Sequence, residues 1–152
     1  MDLTNLHLLS ASEATRLIHD GVITSEQLVE ACLARVREVD AQIQAWAFLD
    51  PDYALTQARA IDQLRLEGKA IGPLHGVPIA VKDIFDTADM PTENGSVIYT
   101  GRTPSRDATT VLLLRAAGAV IMGKTVTTEF AYFSPGKTCN PHNRCWSGSG
   151  GD

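Results

Sequence analysis

A lysine stands at the end of a short apolar run near the middle of the chain. Ile79, Ala80 and Val81 precede Lys82, and Asp83 follows it. In α/β proteins the carboxyl ends of strands face the crevice in which ligands bind. A lysine there can have a structural role, extending to solvent or pairing with Asp83. The functional alternative is a general base, because burial lowers the pKa of an ammonium and favours the neutral amine.

A neutral lysine can accept the proton of a serine hydroxyl, which is a poor nucleophile until that proton is removed. Serine hydrolases that use lysine in place of histidine depend on this chemistry. Lys82 is therefore a candidate general base, and the partner that it requires is a serine.

Residues 118–125 offer a competing chemistry, because they satisfy the P-loop pattern G-x-x-x-x-G-K-[ST]. A P-loop follows a strand and curls around phosphates. Here a helix is predicted before Gly118, and the four residues between Gly118 and Gly123 are apolar. We interpret these residues as a strand, with Gly118 ending the helix and Gly123 ending the strand. P-loop nucleotide binding is a remote alternative, and no cofactor is expected.

Cys139, His142 and Cys145 form the densest group of possible metal ligands. A structural zinc site requires four ligands, and the nearest further histidine, His75, is distant in sequence. We therefore expect no metal site. The three cysteines of the chain are predicted to be reduced thiols, since the sequence lacks the features of an export signal.

Composition limits the class of protein and its partners. The chain has 152 residues, of which 44% are hydrophobic and 20% charged, as in a globular domain. The net charge is −5, and the basic residues are scattered, so we expect no nucleic-acid partner. No apolar stretch approaches the roughly 20 residues of a membrane span, so we expect no membrane partner and a cytoplasmic location.

The elements that must position Lys82 begin with helices. Ser10 with Glu13 and Thr24 with Gln27 have the spacing of capping boxes, which predicts two helix starts. A third helix is predicted from Asp50-Pro51 to near Gly68. We therefore define residues 1–70 as an N-terminal helical region.

A strand, a helix and a second strand are predicted after residue 70. Residues 76–81 and 119–122 have the short apolar runs of buried strands, and residues 107–117 form a helical pattern between them. This order predicts an α/β fold. N-terminal helices precede the start of a mixed, largely parallel sheet covered by helices. Residues 71–152 would form the first part of the α/β core, and the whole chain one incomplete domain.

Residues 72–83, GPLHGVPIAVKD, resemble the lysine-bearing signature of the amidase signature family. Residues 106–111, 116–125 and 128–131 resemble the following blocks of that family, in the same order. The resemblance implies hydrolysis of a carboxamide C–N bond through an acyl-enzyme, without metal or cofactor. It implies a triad of serine, cis-serine and lysine in which Lys82 is the general base, and a small-molecule amide as the substrate. It also suggests that Tyr132 and Phe133 line an acyl pocket.

The resemblance weakens after Asn143. If Gly150-Gly151 is aligned with the family's Gly-Gly-Ser-Ser-Gly-Gly-Ser loop, Gly148 falls on the cis-serine and Ser149 on the serine beside it. Ser149 is thus a weak candidate for the relay region. A chance resemblance produced by an interrupted reading frame is an equal alternative. The family's nucleophile block lies further on, so we expect a fragment that is inactive alone.

A non-catalytic protein is the alternative function. A truncated product would leave an open sheet edge, through which the chain would associate with itself or with another chain. The amide substrate, the position of the nucleophile and the oligomeric state stay open, as does the choice between an interrupted frame and a gene fragment.

Overall fold

The computed structural model describes residues 5–69, 72–132 and 136–142. The chain forms two compact units. The first unit comprises the residues up to Arg37, Asp50–Ile79 and Leu113–Met122. The second comprises Glu38–Leu49, Ala80–Leu112 and the residues from Gly123 onward. The boundary predicted near residue 70 stays a prediction.

Helices dominate the first half of the chain and one helix separates two strands of the second half. The helices are α1 (Ala11–His19), α2 (Ser25–Ile43), α3 (Pro51–Leu66) and α4 (Thr109–Ala116). The strands are β1 (Trp46–Leu49), β2 (Pro78–Lys82) and β3 (Val120–Thr125). Short 3₁₀ turns cover Leu6–Leu8, Val97–Tyr99 and Glu129–Ala131.

The predicted helix starts are confirmed. The Ser10 side chain accepts from the backbone N–H of Glu13, and the Glu13 carboxylate accepts from the backbone N–H of Ser10 at 3.0 Å. Thr24 and Gln27 exchange the same pair of bonds, each at 3.0 Å. Asp50 accepts from the N–H of Tyr53 at 3.0 Å at the start of α3. These contacts satisfy backbone donors that have no partner inside a helix.

A residue from another helix completes the start of α2. Asp62 of α3 accepts from the backbone N–H groups of Ser25 at 2.9 Å and Glu26 at 3.0 Å. The Ser25 hydroxyl donates to the carbonyl of Gly76 at 2.8 Å. Ser25 is 0% exposed and Asp62 9% exposed, so water does not replace these partners readily. Asp62 therefore couples α3 to the start of α2, and Ser25 couples α2 to the segment before β2.

The core of the first unit lies where α1 and α2 meet the start of β2. Its buried members are all aliphatic, and they are Leu6, Ala14, Leu17, Ile18, Ile23, Leu28 and Val77. Burial of each large aliphatic side chain contributes about 1.5–3 kcal/mol before the entropy cost. α2 contributes Leu28 to this core, and Cys32 packs partly buried against it.

The three strands form one mixed sheet in the order β1-β3-β2. β1 and β3 are antiparallel, with Phe48 opposite Lys124 and Leu49 opposite Gly123. At the other edge, Val120 N–H donates to the Val77 carbonyl, and Asp83 N–H donates to the Thr125 carbonyl. Residue numbers rise together along this pair, so β2 and β3 are parallel. The predicted α/β class with a mixed sheet is confirmed.

Two local features differ from the sequence predictions. β1 was not predicted, because its four residues adjoin the start of α3 and resemble a helix flank. Gly123 was predicted to end the second strand, yet β3 continues through Gly123 and Lys124 to Thr125. A glycine is required inside this strand, since a Cβ at Gly123 would overlap the Phe48 carbonyl oxygen.

None of the helices among the described residues is both long and apolar enough to cross a membrane.

Candidate active site

Lys82 is the last residue of β2, at the carboxyl end of that strand. Side chains alternate between the two faces of a strand. Val81 and Asp83 are buried, whereas Ala80 is exposed and Lys82 is partly buried. Lys82 and Ala80 therefore lie on the more open face of β2. The strand presents its terminal lysine where a second molecule or segment can reach it.

The backbone around Lys82 is held firmly. The Lys82 carbonyl accepts from the N–H of Phe85 at 3.0 Å, which closes a turn directly after the strand. Asp83 N–H donates to Thr125, and the Asp83 carbonyl accepts from Asn94 N–H at 3.0 Å. Rigid placement of this kind is what a general base requires, because proton transfer depends on position within a fraction of an ångström.

The Asp83 side chain points to the other face of β2 and is nearly inaccessible. Its carboxylate accepts from the N–H of Glu93, 3.2 Å from each oxygen. It also forms an ion pair with Lys124, with 3.3 Å between Oδ1 and Nζ. The Asp83 carboxylate therefore has a structural role, because its contacts fix the backbone directly after Lys82.

The sequence analysis did not single out Lys124, which it considered only within the P-loop pattern and within residues 116–125 of the family resemblance. The side chain is 0% exposed and is among the largest fully buried side chains of the chain. Burial lowers the pKa of the Lys124 ammonium below its ordinary value, and the Asp83 carboxylate opposes that change. Nζ donates to two carbonyl oxygens and two hydroxyl oxygens, a set that can solvate a charged ammonium. A lysine continuing an apolar strand was the signal that could have revealed it.

A second ion pair lies in the same segment. Arg102 donates to Asp86 through two bonds, NH1 to Oδ1 at 2.8 Å and NH2 to Oδ2 at 3.1 Å. The Arg102 guanidinium holds the pKa of the Asp86 carboxyl below its ordinary value. Arg102 also donates to the Thr92 carbonyl at 3.1 Å. The bidentate pair thus ties Asp86 to the end of the segment that follows β2.

An exposed group of apolar side chains lies further along the second unit. Tyr99 and Phe130 contact edge to face, with ring centroids 5.8 Å apart. Phe130 and Ala131 both have φ angles above 50°, a backbone conformation that such residues rarely adopt. Val97, Ile98 and Tyr132 are also exposed. Strain of this kind persists where the surroundings require one geometry, and it clusters at functional sites.

The structure also places residues of the competing motifs. Residues 120–125 of the P-loop pattern form β3, and Gly118, with φ +90°, lies between α4 and that strand. They are a strand and not a phosphate-binding loop. Among the described residues no three His, Cys, Asp or Glu side chains are grouped to hold a metal. Cys145, Phe133 and Ser149 lie outside the described residues, so the relay candidate Ser149 stays a prediction.

The sequence profile named Amidase matches residues 27–151, a span that includes Lys82, Asp83 and Lys124. The chain belongs to the amidase family. A glutamyl-tRNA(Gln) amidotransferase subunit of Streptomyces avermitilis is 44% identical over 155 residues, covering 97% of this chain and 31% of that protein. Similar curated proteins thus include part of an amidotransferase.

Solved amidase structures share the fold. The peptide amidase from Stenotrophomonas maltophilia is 34% identical, with a TM-score of 0.80, and the match covers 97% of this chain and 30% of that one. A bacterial aryl acylamidase of the amidase signature enzymes has a TM-score of 0.84 at 24% identity, covering 96% of this chain and 32% of that one. The latter likeness concerns the fold alone. This chain spans about a third of the length of these relatives.

Proposed function

We propose that this chain supplies the lysine-bearing part of an amidase active site, with Lys82 as the general base. The observation that carries the proposal is the position of Lys82 at the carboxyl end of β2, on the open face, within a turn fixed by the Phe85 N–H. Membership of the amidase family supports a reaction at a carboxamide C–N bond.

In the proposed reaction the neutral Lys82 amine accepts a proton from a relay serine, which accepts the proton of the nucleophilic serine. The nucleophile attacks the amide carbonyl and forms a tetrahedral intermediate. The Lys82 ammonium returns the proton to the amide nitrogen, the C–N bond breaks, and the amine leaves an acyl-enzyme whose ester is then hydrolysed by water. No step of this scheme requires a metal or a cofactor.

The serines of this reaction are proposed to come from the glycine-rich blocks that follow Lys82 in the family, with Ser149 as a weak candidate for the relay region. The two buried serines among the described residues support this division. The Ser25 hydroxyl donates to the Gly76 carbonyl, and the Ser96 hydroxyl donates to the Glu129 carboxylate at 2.6 Å. Both hydroxyls have structural partners, so neither is an open nucleophile.

We therefore expect the 152-residue chain to be inactive by itself, as a fragment of an amidase would be. Intact-mass analysis after treatment with a fluorophosphonate should show no adduct, and an aryl amide should not be turned over. A stoichiometric serine adduct that disappears in Lys82→Ala would contradict the proposal, because a complete nucleophile would then lie within these residues.

The role of Lys82 is tested in a chimera. Residues 1–142 of this chain replace the matching part of the Stenotrophomonas peptide amidase, which supplies the remaining blocks. We expect the chimera to hydrolyse the host's amide substrate, Lys82→Met to reduce kcat at least a hundredfold, and Lys69→Met to leave kcat unchanged. Equal activity of Lys82→Met and the parent chimera would disprove a general-base role.

The second candidate function is that of an amidotransferase subunit. A Mycobacterium bovis relative named as an amidase is 43% identical, and relatives named as glutamyl-tRNA(Gln) amidotransferase subunits reach 42–45% identity. Such a protein would have protein and tRNA partners, which the net charge of −5 did not suggest. A chimera with the Streptomyces protein distinguishes the two candidates. It is compared with the Stenotrophomonas chimera. Activity in the amidase host favours a free-standing amidase, and activity only in the Streptomyces host with its partner subunits favours the amidotransferase.

A non-catalytic chain that associates through its sheet edges, and a cytoplasmic location, stay predictions. The edge strands of the described sheet are β1 and β2.

A further inference from the structure

The ammonium of Lys124 lies among oxygens that all belong to one short segment, residues 83–92. Nζ is 2.6 Å from Thr92 Oγ1, 3.0 Å from the Phe85 carbonyl and 3.2 Å from the Pro91 carbonyl. Thr87 Oγ1 and Asp83 Oδ1 lie 3.3 Å away. Five oxygens therefore surround a group that has three N–H donors.

A monovalent cation without its hydration shell requires a surrounding set of oxygen atoms, and these five oxygens provide one. Carbonyl and hydroxyl oxygens replace the hydration shell of such an ion, and the Asp83 carboxylate balances its charge. The Lys124 side chain is 0% exposed, so the ammonium depends on these oxygens for solvation. Loss of the ammonium would remove the one donor that these five oxygens share.

The segment itself has little other regular structure. Residues 83–92 form turns and bends, without helix or strand. Within it the Thr87 hydroxyl donates to the Met90 carbonyl at 3.1 Å, and Thr87 N–H donates to Thr92 Oγ1 at 3.3 Å. These bonds join both threonines to the set that binds Lys124. The ammonium is thus the common partner of polar atoms along the whole segment.

The same segment begins with the turn that fixes Lys82. The Lys82 carbonyl accepts from Phe85 N–H, and Lys124 binds both Asp83 and Phe85 within that turn. We propose that Lys124 is a positioning residue, a built-in cation that organises residues 83–92 and thereby holds Lys82 in place. The link to catalysis rests on the proposed function of Lys82 as a general base. The ordering of residues 83–92 by Lys124 is independent of that proposed function.

Hydrogen exchange of the full chain tests the ordering. In Lys124→Ala we expect amides of residues 83–94 to exchange at least about tenfold faster than in the parent, because their shared donor is absent. Propylammonium chloride replaces the missing carbons and the ammonium, so it should restore slow exchange. Tetramethylammonium chloride at the same concentration has no N–H donor and should not restore it.

Unchanged exchange in Lys124→Ala, or equal restoration by both salts, would overturn the proposal. If Lys124→Ala loses protection in α2 as well, Thr92→Val provides the test, since it keeps the lysine and removes its shortest bond. Thr87 is left out of this comparison, because its N–H loses its own acceptor in Thr92→Val. Accelerated exchange confined to the other amides of residues 83–94 would support the proposal, and parental exchange there would refute it. Lys137→Ala is the matched control, an exposed lysine of the same unit whose loss should change nothing.

A second readout concerns Lys82 itself. The rate at which an amine-reactive reagent labels Lys82 is followed against pH by peptide mass spectrometry, with Lys69 of the same sample as the internal reference. We expect the Lys82 profile to change in Lys124→Ala and to return with propylammonium, while the Lys69 profile stays constant. A loosened segment with an unchanged Lys82 profile would refute the positioning role. Failure of Lys82 as a base would appear only in the amidase chimera, so the two proposals can fail separately.

Discussion

Replacement of Asp62 by alanine should destabilise the fold more than any other single truncation of an aspartate in the helices. The carboxylate accepts the N–H groups of Ser25 and Glu26 at 2.9 and 3.0 Å, and Thr24 accepts that of Gln27. Together these contacts satisfy the first three donors of α2. Asp62→Ala removes the partners of two of the three.

The magnitude follows from the burial of each donor. Ser25 is 0% exposed, so its N–H would stay unsatisfied at a cost of about 1–3 kcal/mol. The Glu26 N–H is only partly buried, so water can replace much of the lost bond, leaving about 0.5–1 kcal/mol. Loss of a negative charge at the helix N-terminus adds about 0.3–1 kcal/mol. We expect a total decrease of about 3 kcal/mol in the free energy of unfolding.

Urea denaturation followed by circular dichroism measures this change. With a slope of about 2 kcal/mol/M, the midpoint should fall by about 1.5 M. Asp62→Asn keeps one acceptor oxygen and should lose about half as much. The control is Asp52→Asn, which removes an exposed negative charge from the first turn of α3 and should cost only the charge effect, about 0.3–1 kcal/mol. A midpoint for Asp62→Ala equal to that of the control would refute the assignment of Asp62 as the cap of α2.

Two further predictions concern the second unit. Arg102 lowers the pKa of Asp86 in the folded protein. The ion pair should therefore stabilise the fold fully at pH values above the ordinary pKa of aspartate, about 3.9. This stabilisation should be lost as the pH falls through the lower pKa of the folded state. Both side chains are partly exposed, so Asp86→Asn should lower the free energy of unfolding by less than about 1 kcal/mol at pH 7. The variant should also lose less stability than the parent as the pH falls below about 4. An unchanged dependence of stability on pH in this range would contradict the prediction. Gly123→Ala should cost about 2–3 kcal/mol, because its Cβ would overlap the Phe48 carbonyl oxygen. Gly101→Ala is the control, because a Cβ there meets no atom and only the φ of +75° is unfavourable. We expect this substitution to lower the free energy of unfolding by about 1–2 kcal/mol. Equal losses for the two variants in urea denaturation would show that the clash at Gly123 is relieved.

Helix starts were predictable from the sequence because their contacts are local. Ser10 with Glu13 and Thr24 with Gln27 are three residues apart, and the partners meet in any helix that begins there. The strand, helix and strand around Lys82 were predictable for a similar reason, since apolar periodicity and glycine identify them without knowledge of distant residues. The family resemblance added the proposal that Lys82 is a general base, which periodicity alone left open.

Contacts between distant segments could not be predicted in the same way. Asp62 caps a helix that starts at Ser25, and no spacing rule links these positions. Lys124 binds carbonyl oxygens of Phe85 and Pro91, and every residue type carries such oxygens. β1 was missed because a four-residue strand has too little alternation to distinguish it from a helix flank.

The oxygens around Lys124 have a consequence for how such sequences vary. Their positions depend on the path of the backbone between Asp83 and Thr92, and two of them are carbonyls that any amino acid provides. Substitutions at residues 85 and 91 therefore leave those ligands in place, whereas an insertion or deletion between residues 84 and 91 would move them out of reach. In an alignment of related chains we expect substitutions within this interval but no insertions or deletions.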